Sequence, residues 1–194
     1  MPFCLTYVQA GTVRIYQGGS STVKQLGDSV TLQMDGKNAY YQKTVKVDSD
    51  IKVSTMFIRT LQFMAAKNFQ QTYGYEQEGK LIFTTTQDLN INPVTSGSDM
   101  EDVQEYNVQF AITIDMRNGR YRYTISNVTF YRPTENGNMR LTLYDMVQKA
   151  GGESRSVAKD ARKLISSFER YLDALTTELY VGIQYKAAIY QPKF

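Results

Sequence analysis

Two groups of residues in this chain have the types and spacing to do chemistry, and in both it is the chemistry of binding acidic or electron-rich partners. The first is Arg117, Arg120 and Arg122 beside Tyr121 and Tyr123, around Asn118-Gly119. Guanidinium planes and phenol rings in one place stack on bases or hold carboxylate-rich partners. The second is Arg155, Lys159, Arg162 and Lys163 in the first turns of a predicted helix, where the macrodipole and free N–H groups already present positive potential. Cations there repel the helix end unless an anion or an acidic surface lies nearby. Each group also has a plainer reading. In a strand, Arg120 and Arg122 share one face and the tyrosines the other, so a sheet buries the tyrosines and solvates the arginines. The four cations on the helix can form a solvated basic face.

The rest of the inventory argues against catalysis. The chain has no His, the usual neutral-pH general base and commonest metal ligand, and its single Cys4 can build neither a thiolate metal site nor an internal disulfide. No phosphate-cradling or dinucleotide-binding glycine motif occurs, and Gly18-Gly19-Ser20-Ser21-Thr22 lacks the lysine and helix a phosphate loop needs, so it reads as a turn. Asp99, Glu101, Asp102 and Glu105 fall in a polar stretch rather than on facing rigid elements, as paired catalytic carboxylates would. The expectation is a protein that is not an enzyme, with no catalytic residues, cofactor or metal.

Bulk properties narrow the partners. With 194 residues the chain can bury one good-sized core, and no apolar run approaches the roughly 18 to 20 residues that span a bilayer. A net charge of +3, from 22 basic and 19 acidic residues, is too mild to argue for nucleic acid. Fifteen tyrosines and no tryptophan suit interfaces, because a phenol is apolar in body and polar at its tip. Residues 1–10 lack the basic start and apolar stretch of a signal peptide.

These residues must be positioned by elements the pattern makes visible. Residues 1–39 carry short β-like runs, Thr12–Tyr16 and Ser29–Met34, closed by Asp35-Gly36, and read as a β arm or hairpin ahead of a core domain at 40–194. Tyr40–Val47 alternates as a strand and ends at Asp48-Ser49-Asp50, residues that favour helix N-caps. Apolar residues then recur at three- and four-residue spacing from Ile51 to about Gln71, predicting a helix that Tyr73-Gly74-Tyr75 breaks. Lys80–Thr86 returns to strand, and residues 90–102 are polar loop. Tyr106, Val108, Phe110, Ile112, Ile114 and Met116 alternate strictly with polar or small residues, and Asn118-Gly119 then predicts a two-residue hairpin. Tyr121–Tyr131 is the antiparallel partner, with Tyr121, Tyr123 and Ile125 on one face and Val128 and Phe130 available to the other, allowing for a bulge. Residues 133–138 (PTENGN) end the sheet. From Ser156 to about Gln184 a near-heptad stripe predicts a long amphipathic helix, and the tail 183–194 is apolar enough to dock.

Between Tyr40 and Tyr131 the order strand, helix, strand, long loop, strand, Asn-Gly hairpin, strand, with the segment YNVQFAITIDMRNGRYRYTISNVTF, resembles a Bacteroidetes domain of unknown function with a TATA-binding-protein-like (TBP-like) fold. The resemblance implies an α+β fold, a helix packed on a curved antiparallel sheet, and brings no catalytic residues with it. Proteins of that family resemble secreted or envelope proteins with signal peptides. This chain departs from them in lacking such a peptide and in adding the arm. The expectation is a non-enzymatic structural or adaptor subunit that acts through protein partners in a homo- or hetero-oligomeric assembly. Its most concrete form is a bacteriophage virion component, connector or tail, in the virion or the cytoplasm. The alternative is a periplasmic or envelope-associated binding module of a Bacteroidetes-type bacterium.

Overall fold

The structure, a computed structural model, describes residues 8–9, 12–17, 20–25, 31–91, 104–134 and 137–185, the first three segments as backbone only. Those segments, β1 (Val8–Gln9), β2 (Thr12–Gln17) and β3 (Ser20–Gln25), form a three-stranded antiparallel sheet in the order β1-β2-β3. The expected docking of the tail concerns residues that, beyond Tyr185, lie outside the described ones.

The main sheet is antiparallel throughout. Its strands are β4 (Thr31–Asp35), β5 (Asn38–Lys46), β6 (Gln70–Tyr75), β7 (Lys80–Ile91), β8 (Gln104–Arg117), β9 (Arg120–Thr134) and β10 (Gly137–Thr142). They run in the order β4-β5-β9-β8-β7-β6, with β10 paired to the far half of β9. The sheet therefore begins at Thr31, ahead of the division at residue 39/40 expected from sequence. Asp35-Gly36 does not close the arm. It opens a two-residue loop, Gly36-Lys37, that joins β4 to β5 with Gly36 at φ +59°.

Helices α1 (Val53–Ala66), α2 (Leu143–Ala150) and α3 (Arg155–Gln184) supply the other half of one core. β8 lies at its centre, and Val108, Phe110, Ile112, Ile114 and Met116 are all buried, as the alternation predicts. The cross-strand partners of Ile112, Ile114 and Met116 are Ile125, Tyr123 and Tyr121, also buried. From α3 the stripe Ala161, Leu164, Phe168, Leu172, Leu175, Leu179 and Ile183 closes onto that surface. Phe168 is the hub, with the rings of Tyr41, Phe110 and Phe130 edge-on at 6.0, 5.5 and 5.6 Å and Tyr171 stacked at 6.4 Å.

Three local readings change. The first helix ends at Ala66 rather than near Gln71, and β6 follows where a helix break was expected. Asn68 takes the left-handed conformation at φ +59°, its N–H donates to Ala65 O, and the N–H of Phe69 donates to Met64 O at 2.9 Å. This is a Schellman C-cap with Asn in the glycine position. Phe69 stays buried, so the apolar spacing runs on past the helix end. Second, Val128 and Phe130 rejoin the core face. Asn127, at φ +55°, is the extra residue of a bulge opposite Gln109–Ala111, and it reverses the side-chain parity of β9. Third, β10 and α2 follow residues read as the end of the sheet. Thr142 caps α2 with Asp145 in a reciprocal capping box, and its hydroxyl and N–H hold the Asp145 carboxyl below the usual carboxylate range.

One buried hydroxyl makes a direct prediction. Tyr121 is fully buried and its hydroxyl has no hydrogen-bond partner among the described residues, and burial pushes its ionisation far above the ordinary tyrosine range. Tyr123, its neighbour on the same face, meets the Thr176 hydroxyl, and burial pushes its ionisation up to about 12. An unsatisfied buried hydroxyl costs about 1–3 kcal/mol, so Tyr121→Phe is expected to raise stability by about 1 kcal/mol and Tyr123→Phe to lower it by a similar amount. Urea denaturation midpoints check this. Equal losses in both would show that the Tyr121 hydroxyl is satisfied.

Candidate functional site

The hairpin between β8 and β9 stands at one end of the sheet, and the elements around it are fixed by specific contacts. Val47 N–H donates to Gly119 O at 3.0 Å, which joins the end of β5 to the hairpin loop. At the next residue the Asp48 N–H donates to Gln184 Oε1 at 3.2 Å, and the Gln184 side-chain amide donates to the Asp48 carboxylate. Asp48 thus ties β5 to the end of α3. The capping role expected of it is not realised, because the N-cap of α1 is Lys52, which makes no side-chain capping bond. Arg59 of α1 donates to the carbonyls of Ile183 and Gln184. A guanidinium there satisfies orphan carbonyls and complements the negative end of the helix dipole.

Between the hairpin, the start of α1 and the β6–β7 turn lies an open groove of about 960 Å³. Arg117 and Arg120 line one side, Glu76 and Glu78 of the turn line another, and Val53 and Ser54 bring in the α1 N-terminus. That terminus has no acidic residue in its first turn, so its N–H groups add positive potential beside the arginines. Gly79 and Met116 form the base. Gly79 is at φ +62°, its N–H donates to Glu76 O at 2.9 Å, and its carbonyl accepts from Met116 N–H at 2.6 Å. The turn is braced further by Tyr73 Oη donating to Glu78 at 3.1 Å and Tyr75 Oη donating to Gln77 at 2.8 Å.

The expected site residues do not form one surface. Of the hairpin arginines, Arg117 and Arg120 face the groove. Arg122 is committed to Asp115 across the strand pair at 3.1 Å on the open face of the sheet. Tyr121 and Tyr123 are buried in the core, so no phenol from β9 stands beside the arginines. The second cluster begins α3, whose other end is the one tied to Asp48, so about 40 Å of helix separates the two groups. Arg162 Nε donates to the Ala150 carbonyl at 3.0 Å, capping α2, and Lys163 is half-buried and engaged. Arg155 and Lys159 are exposed in the first two turns of α3.

What sequence reasoning missed is the turn wall of the groove. Residues 73–75 read as a helix break, yet they lead β6 into the Glu76–Gly79 turn. Glu76-Gln77-Glu78-Gly79 between two aromatic-rich runs was the available signal for a hairpin. The shifted carboxyls lie elsewhere and have structural partners. Glu169 on α3 accepts from Tyr41 Oη at 3.3 Å, and burial, with Asp173 nearby, raises it above the usual carboxylate range.

Residues 41–131 match the family described as a domain of unknown function (DUF4468) with TBP-like fold. The match covers just under half of the chain, and over those residues the chain is similar to the DUF4468 family. The matched span runs from β5 to β9, so the groove and its hairpin lie inside it, whereas α2 and α3 lie beyond it. A DUF4468 family protein from Bacteroides ovatus has a solved structure similar to this chain, with TM-score 0.61, 11% identity, and coverage of 83% of this chain and 94% of that one. A TBP-like protein from Parabacteroides distasonis is similar at TM-score 0.62 and 11% identity, covering 78% and 96%. At that identity the likeness is one of fold, and it carries the α+β, TBP-like architecture across most of the chain. No curated protein sequence matches.

Proposed function

We propose that this chain is a non-enzymatic binding module that holds a protein partner in the groove at its β8–β9 hairpin. The observation that supports this reading is the division of charge in that groove. Arg117, Arg120 and the uncapped α1 N-terminus face the Glu76–Glu78 turn. A polypeptide surface carrying both signs of charge complements such walls, whereas a polyanion would meet the two glutamates. The groove is wide and open, as suits a protein side chain or loop rather than an enclosed small molecule.

The setting is part of the same proposal. The two similar solved structures come from Bacteroides and Parabacteroides, which favours a module of a Bacteroidetes-type bacterium, its envelope setting being what the family resemblance implies. The bacteriophage form draws no support from these neighbours.

The test is site-specific photo-crosslinking from Gln77, an exposed groove residue, in the native host, with and without Arg117→Glu and Arg120→Glu. A discrete crosslinked band that falls at least about tenfold in the double variant, at unchanged thermal stability, is the expected result, since rim charges govern encounter and register. A band of equal strength in both, or no band in either, overturns the assignment of the groove.

A further inference from the structure

Among the described residues the outer edge of the main sheet is β6, and its composition sets it apart from edges that resist pairing. Such edges carry Lys, Pro or inward charge, because a free row of N–H and C=O groups is a template for another strand. Here the strand is Gln-Gln-Thr-Tyr-Gly-Tyr, six residues without a charge or a proline, and every one of them is exposed. Tyr73 and Tyr75 are 41% and 45% exposed. Opposite Ile82 and Lys80 in register and two residues apart beyond the bulge, they share one face of the strand. Both rings are held in place by their bonds to Glu78 and Gln77. The bulge at Thr72 does not project outward, because Thr72 Oγ1 donates back to the Ile82 carbonyl at 3.2 Å.

We infer that β6 pairs antiparallel with β6 of a second copy of this chain, joining two main sheets into one across a two-fold axis. Two observations select a second copy as the occupant. An uncharged strand meets no like-charge repulsion from itself. The two-fold register that sets Gln70 opposite the copy's Tyr75, and Gln71 opposite its Gly74, also matches faces. Gln70, Tyr73 and Tyr75 lie on the open face, Gln71 and Gly74 on the helix face, so each residue meets one from its own face. The tyrosines of both copies then gather on one side of the joint, where cross-strand aromatic pairs stabilise a sheet.

The experiment uses the full chain in reducing buffer, which removes any dimer made through Cys4. Sedimentation across concentrations is combined with amide hydrogen exchange of residues 70–75. The expected result is a reversible dimer in which the β6 amides gain protection as concentration rises. Tyr73→Glu with Tyr75→Glu should raise the dissociation constant at least about tenfold, since like charges placed opposite each other repel. A monomer at every concentration overturns the inference, as does a dimer whose β6 amides exchange at the monomer's rate. Failure of the groove assignment would leave these readings unchanged, since Tyr75, the last residue of β6, is the one residue of the strand that lines the groove, and Tyr73→Glu alone reads the edge without touching it.

Discussion

Phe168→Ala should lower the unfolding free energy by about 3–5 kcal/mol, the range for removing a fully buried aromatic ring. The ring is 0% exposed and touches aromatic side chains from four separate elements, β5, β8, β9 and its own helix. Its loss leaves a cavity that rigid edge-to-face neighbours cannot collapse to fill, and it forfeits pair geometry worth about 0.5–1.5 kcal/mol per contact beyond area. Phe168→Leu keeps most of the volume and should cost markedly less. Val157→Ala, on the exposed start of the same helix at 45% exposure, should change stability by no more than about 0.5 kcal/mol. Urea denaturation monitored by tyrosine fluorescence reads all three. A loss below about 1.5 kcal/mol for Phe168→Ala would mean that α3 is not seated on the sheet as described.

The second large effect lies at the base of the groove. Gly79 and Gly119 both adopt positive φ, +62° and +71°, so an alanine at either place pays roughly 1–2 kcal/mol of backbone strain. They differ in the space a Cβ would enter. At Gly79 it would lie 2.6 Å from the Met116 carbonyl oxygen and 3.1 Å from Val53 Cγ1, whereas at Gly119 the nearest atom is Ser49 Cα at 4.0 Å. The obstacle at Gly79 is backbone of the central strand, which cannot rotate away. Gly79→Ala is therefore expected to cost about 3 kcal/mol or more and Gly119→Ala about 1–2 kcal/mol. Because the Met116 N–H bonds to Gly79 O, the first variant should also speed amide exchange at Met116. Equal costs at the two glycines would show that strain alone, and not the close approach of two backbones, makes Gly79 necessary.

The parts of this fold that could be read from the chain are those where local pattern and tertiary burial agree. β8 shows its alternation because one face is covered by α3 and the other is not, and the Asn118-Gly119 loop follows from backbone sterics alone. The long helix is legible for the same reason, since its stripe is continuous with its buried face. Where the reading slipped, a residue was serving two elements. Phe69 belongs to the helical stripe by spacing and to a C-cap by conformation, which hid the end of α1. Asn127 shifts parity within one strand, and no periodicity can show on which side of it the shift falls. Asp48 has the chemistry of a cap, yet its partner, Gln184, is 136 residues away. The candidate site was legible only in part. Arg117 and Arg120 were visible as a pair, but the Glu76–Gly79 turn and the bare start of α1 come to them through pairings that only the folded sheet defines.

The end of α3, held by Arg59 and Asp48, bears on how the chain is made. Every strand of the sheet is synthesised before the long helix α3, and the fifty residues from Thr134 to Gln184 separate the last residue of β9 from the contacts that lock the core. At about 5–20 residues per second, a ribosome leaves the apolar side of β8 and β9 without its lid for roughly 3 to 10 s. During that interval the nascent chain displays the run from Val108 to Met116 to anything nearby, so a chaperone that shields it would act on this protein before release and not after.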